Sequence, residues 1–231
     1  MLSRHKGIST APYSSLNISY GVGDNPQNVT ENRQRIKNRL NIGFLASARQ
    51  VHADLIFVVD RLTEDYEVAG YDALVTERPA IGLLIQQADC QAILLYDPRR
   101  PAIGAIHCGW RGNVHNIIRS TVERMRKVFR TDPASLQAVV SPSLGACCGE
   151  FIHFRDEFPS DFLKFKSGPA HFDLPAISRY QLIDSGVDEK NIDIFNICTV
   201  CNTNFFSYRR TMKKGKKQTG RQGSVICLPP S

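Results

Sequence analysis

The chain has 231 residues, enough to bury a sizeable core, and reads as a single domain over positions 1–231. Hydrophobic residues make up 42% and charged residues 22%, a globular balance that excludes global disorder. The net charge of +7 suits acidic ligands such as phosphate, or nucleic acid.

The N-terminal segment carries Arg4, His5 and Lys6 without an apolar stretch behind them, so no export signal is expected. Asn28 and Glu31 look like the two halves of a helix-capping box, with Val29, Ile36 and Leu40 as a partial apolar face. Leu55 to Val59, Ile81 to Gln86, Ala92 to Tyr96 and Ala102 to His107 read as short strands. They are far too short to span a membrane. Asp97-Pro98-Arg99-Arg100-Pro101 breaks the chain as a turn. The clearest helix runs from Val114 through Ile117, Ile118, Val122 and Met125 to Phe129, with Asn113 as its expected cap. Ala138 to Ser141 reads as a strand. Asp173 caps a further helix with Pro175 in its first turn, and Gly186 stops it. Ile192 to Ile197 and Val225 to Leu228 close the chain as strands. Helices and strands are mixed but do not strictly alternate. The expected fold is therefore a layered α/β domain with a mixed sheet and flanking helices, not a doubly wound one.

Seven cysteines is an odd number in a chain that needs no staples, so reduced thiols and a cytoplasmic setting are the simplest reading. Three segments place a His or Cys at the end of an apolar strand: Gln50-Val51-His52, Ala88-Asp89-Cys90 and Ile106-His107. Strand ends are where α/β sites collect. Two neutral imidazoles and one thiolate form a zinc set with a fourth position open, the pattern of a catalytic ion. The alternative is three separate buried residues, because the gaps match no local zinc motif.

Gly109-Trp110-Arg111-Gly112-Asn113 then makes a tight turn into a helix start, where free N–H groups favour anions and Arg111 adds a bidentate phosphate contact. The same residues also fit a plain strand-to-helix turn with Trp110 on the core. Cys147 and Cys148 are adjacent, and on a strand they would face opposite ways. Cys198 and Cys201 form a CxxC without a partner pair at zinc-ribbon spacing, and a structural role is expected for them. His5, His115, His153 and His171 are read as non-catalytic.

The ordered set of segments resembles the laccase-domain family, the YfiH-like proteins variously called polyphenol oxidases or purine nucleoside phosphorylases. Ser14-Ser15-Leu16-Asn17, Gly23-Asp24 and Glu31-Asn32-Arg33 are similar to its early motifs. Gln50-Val51-His52, Asp72 to Thr76, Ala88-Asp89-Cys90 and His107 to Gly112 resemble its central blocks. Pro142 to Cys148, Phe206 to Arg210 and Thr219-Gly220-Arg221 resemble its later ones. The resemblance implies a zinc site on His52, Cys90 and His107, which are also the catalytic group. Substrate or phosphate contacts are expected at Asn17, Arg33 and Arg111. The implied reactions are phosphorolysis of adenosine, inosine and methylthioadenosine, and deamination of adenosine. One segment departs from the pattern: Ser9-Thr10-Ala11-Pro12-Tyr13 is contracted and lacks the family's arginine.

Three rival readings remain. Copper competes for the same ligands, but the six histidines include no His-x-His pair of the multicopper type. Cys90 beside a histidine fits a cysteine amidohydrolase, and the resemblance implies cell-wall precursors as its substrates. A nucleic-acid module suits the charge, but no aromatics interleave the lysines at positions 213–217. A small-molecule partner is expected, not nucleic acid or a membrane.

Overall fold

The computed structural model describes residues 1–229. In chain order its helices are α1 (Pro26–Leu40), α2 (Trp110–His115), α3 (Ile117–Phe129), α4 (Phe154–Glu157), α5 (Leu174–Asp184) and α6 (Tyr208–Lys213). Its strands are β1 (Phe44–Arg49), β2 (Ile56–Val58), β3 (Tyr66–Ala69), β4 (Ala73–Thr76), β5 (Ile81–Gln87), β6 (Gln91–Asp97), β7 (Ala102–Cys108), β8 (Gln137–Val140), β9 (Ile192–Ile194) and β10 (Gln222–Cys227). Both sheets are mixed, one of four strands in the order β10-β5-β1-β3 and one of six in the order β2-β4-β7-β6-β8-β9.

The α/β class is as expected, and the core is divided into two sheets. Strands β6 and β7 explain why. Each is almost continuously apolar, so both faces must be covered. On β6, Ile93 and Leu95 pack with Ile117, Val122 and Met125 of α3, while Ala92 and Leu94 pack with Leu83 and Ile85 of the facing sheet. The period of two thus sends alternate side chains into two different cores. On the outer side of the four-stranded sheet, Ile36 of α1 packs on Leu45 and Leu84. The layers run α1, small sheet, large sheet, then α3 with α5.

Local chemistry moves some expected boundaries. Helix α1 is capped by Asn25, whose side chain accepts from the N–H of Gln27, and Pro26 follows at its first position. Asn28 therefore lies inside the helix. The long helix expected after Asn113 is two helices. Asn116 adopts a left-handed conformation (φ 53°), ends α2, and accepts from the N–H of Arg119 to start α3. The Asn113 side chain is buried instead, donating to Ser178 and Gln181 of α5. Asp173 caps α5 as expected. No described helix is long and apolar enough to cross a membrane.

Candidate active site at the sheet edge

Register brings the site together. Strands β4 and β7 are antiparallel with Ala73 opposite Ile106, which puts Asp72 beside His107, and the N–H of His107 donates to the Asp72 carbonyl at 2.7 Å. Strands β6 and β7 pair Gln91 with Cys108, so Cys90 meets Gly109 at the same end. Ile103 and Ala105 face the inter-sheet core. His107 continues their face by the period of two and emerges at the core's edge.

Asp72 builds the third corner. Its fully buried carboxylate accepts from the backbone N–H groups of Val51, His52 and Ala53 at 3.1, 3.0 and 2.8 Å. It also lies 2.7 Å from Nδ1 of His107. Burial opposes ionisation of Asp72, yet the His107 hydrogen bond and these N–H groups hold its pKa below the usual carboxylate value. His52 is held with a positive φ of 62°, a costly conformation for a residue with a side chain. Its ring lies 4.8 Å from that of His107, centroid to centroid.

The ligand atoms of His52, Cys90 and His107 all lie within 4.8 Å of one another. Their chemistry fits a metal ion. Burial, and then the neighbouring His107, push the His52 pKa down to about 4, so its imidazole is neutral at physiological pH. An ionised Asp72 only accepts, so Nδ1 of His107 carries the proton and Nε2 is left for a ligand, the usual carboxylate–histidine support. Gly109 leaves the space: a Cβ there would stand 3.0 Å from both Cys90 Sγ and His52 Nδ1. In the absence of a cation, burial would lower the His107 pKa. The Cys90 sulfur and the Asp72 carboxylate outweigh it and raise the value to about 9.

These three residues line a cavity of about 860 Å³ together with Arg49, Arg111, Arg209 and Arg221. Its apolar lining includes Trp110, Leu144 and Phe151. Of the expected substrate residues, Arg111 lines the cavity and stacks on Trp110, 4.2 Å from the ring centroid. Asn17 does not line it. It is buried, bonded to Asp24 and Ser19, and accepts from the N–H of Arg221 at 2.9 Å. Arg33 is also buried and its guanidinium is committed to the Ile18 carbonyl, Ser47 and Glu67. Both hold the cavity wall from behind. Residues 9–13 stay outside the lining, although the Tyr13 hydroxyl donates to the carbonyl of Val22, which lines it. His153 lines the cavity as well.

Asp72 and Arg221 were missed as site residues. Asp72 carried a signal, an acidic residue preceding an apolar strand. Arg221 carried only its place in the Thr219-Gly220-Arg221 motif just before β10, with nothing local to bring it to this edge of the sheet.

A family model described as multi-copper polyphenol oxidoreductase laccase matches residues 1–229. The chain belongs to this laccase family. A purine nucleoside phosphorylase of Deinococcus radiodurans is 33% identical to it over 237 residues, covering 98% of this chain and 87% of the relative. A protein named adenosine deaminase RL5, from an unknown prokaryotic organism, is 32% identical over 231 residues, covering 90% and 87%. Among solved structures, YlmD from Geobacillus stearothermophilus superposes with a TM-score of 0.89 at 27% identity, covering 99% of this chain and 90% of that one.

Proposed function

We propose that this laccase-family chain is a purine nucleoside enzyme that works with one metal ion, zinc, on His52, Cys90 and His107. The reactions are phosphorolysis of adenosine, inosine and methylthioadenosine, and deamination of adenosine. The observation that carries this reading is the meeting of two imidazoles and one cysteine sulfur in the wall of a cavity lined by Arg111 and Arg221. The names of the Deinococcus and RL5 relatives support the substrate class.

When bound, zinc supplies a Lewis acid for a polar substrate atom. The protein's own residues do the rest. Arg111 and Arg221 offer planar guanidinium groups to phosphate, and both lie close enough to His52 to depress its pKa. Trp110 and Phe151 offer aromatic surface to a purine. Asp72 keeps the proton of His107 on Nδ1, away from the reacting atoms. A cavity of this volume is within the usual range for a small-molecule site.

The test is chromatography of adenosine and inosine incubated with metal-replete protein, with and without phosphate. Free base and ribose 1-phosphate are expected only with phosphate, and inosine from adenosine without it. Unchanged nucleosides in every arm would overturn the proposal.

The close Cys90–His107 pair favours a second reading, a cysteine nucleophile acting on amides with the metal incidental. Under that reading the metal-free protein is the active form.

A further inference from the structure

We propose that Cys147, Cys148, Cys198 and Cys201 form a second, structural metal site, a tetrathiolate that holds one zinc ion beside the cavity. The sequence offers an adjacent pair and an isolated CxxC, and the expectation that two neighbouring cysteines face opposite ways holds only on a strand. Here Cys147 and Cys148 lie in a turn, where the N–H of Cys148 donates to the Gly145 carbonyl at 3.0 Å. Cys198 and Cys201 bracket a second turn, closed by the N–H of Asn202 donating to the Cys198 carbonyl at 2.9 Å. An isolated bridge between Ser143 and Cys198 ties the two segments. The pair missing from the CxxC is therefore supplied by a turn some fifty residues earlier.

The geometry matches a tetrahedron. Cys147 and Cys148 Sγ are 3.9 Å apart, and each is 3.7 Å from Cys201 Sγ. All four sulfurs lie within 4.8 Å of one another. Four thiolates about 2.3 Å from a central zinc would stand about 3.8 Å apart. The sulfurs are too far apart for disulfide bonds of about 2.05 Å. Gly145 keeps the space open: a Cβ there would come 3.0 Å from Cys198 Cβ and 3.6 Å from Cys147 Sγ. The backbone N–H groups of Cys201, Gly145 and Val200 aim at Cys198, as thiolate ligands require. Arg209 and Arg210 reach the same loops and offset the negative charge of four thiolates, Arg209 through the carbonyl of Cys148 at 3.0 Å and Arg210 through that of Val200 at 3.2 Å.

The cluster has a task. Thr199, inside the CxxC, donates to Asp89 at 2.7 Å, and the N–H of Leu144 donates to the Asp89 carbonyl at 2.8 Å. Asp89 precedes Cys90 and is held at a positive φ of 89°. A metal joining the two turns would fix Asp89, and through it the position of Cys90. The ion itself stays away from the reacting atoms. This site stands apart from the proposed catalytic one and does not depend on it.

Elemental analysis of the full chain purified under reducing conditions tests the proposal, together with the visible spectrum after cobalt replacement. Two zinc ions per chain are expected, one in Cys147→Ser or Cys201→Ser, and one in Cys90→Ala. The cobalt-loaded Cys90→Ala protein should show the strong thiolate-to-cobalt absorption of a four-sulfur site, and Cys147→Ser should reduce it. Because the spectrum of Cys90→Ala reads the cluster directly, poor folding of a cluster variant leaves the test intact. The proposal is overturned if Cys90→Ala binds no metal, or if the four thiols prove to be disulfide-linked by intact mass. A wild-type chain whose single zinc survives Cys90→Ala would support the cluster and remove the catalytic metal instead.

Discussion

Asp72 Oδ1 lies 2.7 Å from Nδ1 of His107, and the same carboxylate anchors the backbone on both sides of His52. One buried side chain thus sets the tautomer of one histidine and the position of the other. Replacing it by Asn keeps the shape, but removes the charge and can turn the ring the wrong way. Asp72→Asn should weaken zinc binding at this site roughly 10- to 100-fold. Competition with a chromophoric chelator measures it, and an unchanged affinity would rule out the supporting role.

Gly109 is the close neighbour of both Cys90 and His52. Gly109→Ala should displace one of them by a few tenths of an ångström or more, because the Cβ has no other room. Zinc affinity should fall at least tenfold while the urea midpoint of metal-free protein stays near wild type. Wild-type affinity in this variant would show that the three donors do not converge on Gly109.

Arg111 and Arg221 are the guanidinium groups proposed to take phosphate. A charge-assisted hydrogen bond lost to Ala costs about 1.5–3 kcal/mol, roughly 10- to 100-fold. Either Ala variant should therefore raise the KM for phosphate in that range and leave phosphate-free deamination within a few-fold. Arg33→Ala should behave differently. Its buried guanidinium is paired with the partly exposed Glu67 of the cavity wall, so the variant should lose about 1–3 kcal/mol of stability with little change in phosphate KM. Steady-state kinetics and urea unfolding separate the two classes.

How legible this was in the sequence follows from the range of each signal. Strands β5, β6 and β7 and the helix at Asp173 are written in runs of apolar residues and in a local cap. Cys90 and His107 stood out because each sits at the end of such a strand, and His52 because it precedes the short β-rich run from Leu55 to Val59. Division of the sheet in two depends on which strands pair, and β1 and β4 are too short and ordinary to announce it. The break at Asn116 is a single left-handed residue inside an otherwise helical apolar pattern. Arg33 looked available for phosphate because charge is visible in a sequence and its partner Glu67 is not. The four-cysteine cluster was hidden for the same reason, since its halves lie about fifty residues apart.

For protein stripped of metal, the two histidines give opposite pH slopes. His52 has a folded pKa of about 4 against an ordinary 6.5, so the unfolded chain takes up its proton first. Stability is lost as pH falls from 6.5 towards 4. His107 has a folded pKa of about 9, so its contribution is complete below 6.5 and is lost as pH rises towards 9. Urea midpoints should therefore peak near pH 6.5. His52→Asn should flatten the acid limb, and His107→Asn the alkaline one. Unaltered limbs in these variants would assign the slopes to other groups.

The most direct measurement is the turnover of inosine with phosphate by Cys90→Ala beside wild type, both supplied with zinc. Loss of a Lewis acid worth about 4 kcal/mol corresponds to roughly a thousandfold. The account predicts a fall of that order with the fold intact. A Cys90→Ala rate within tenfold of wild type would contradict it.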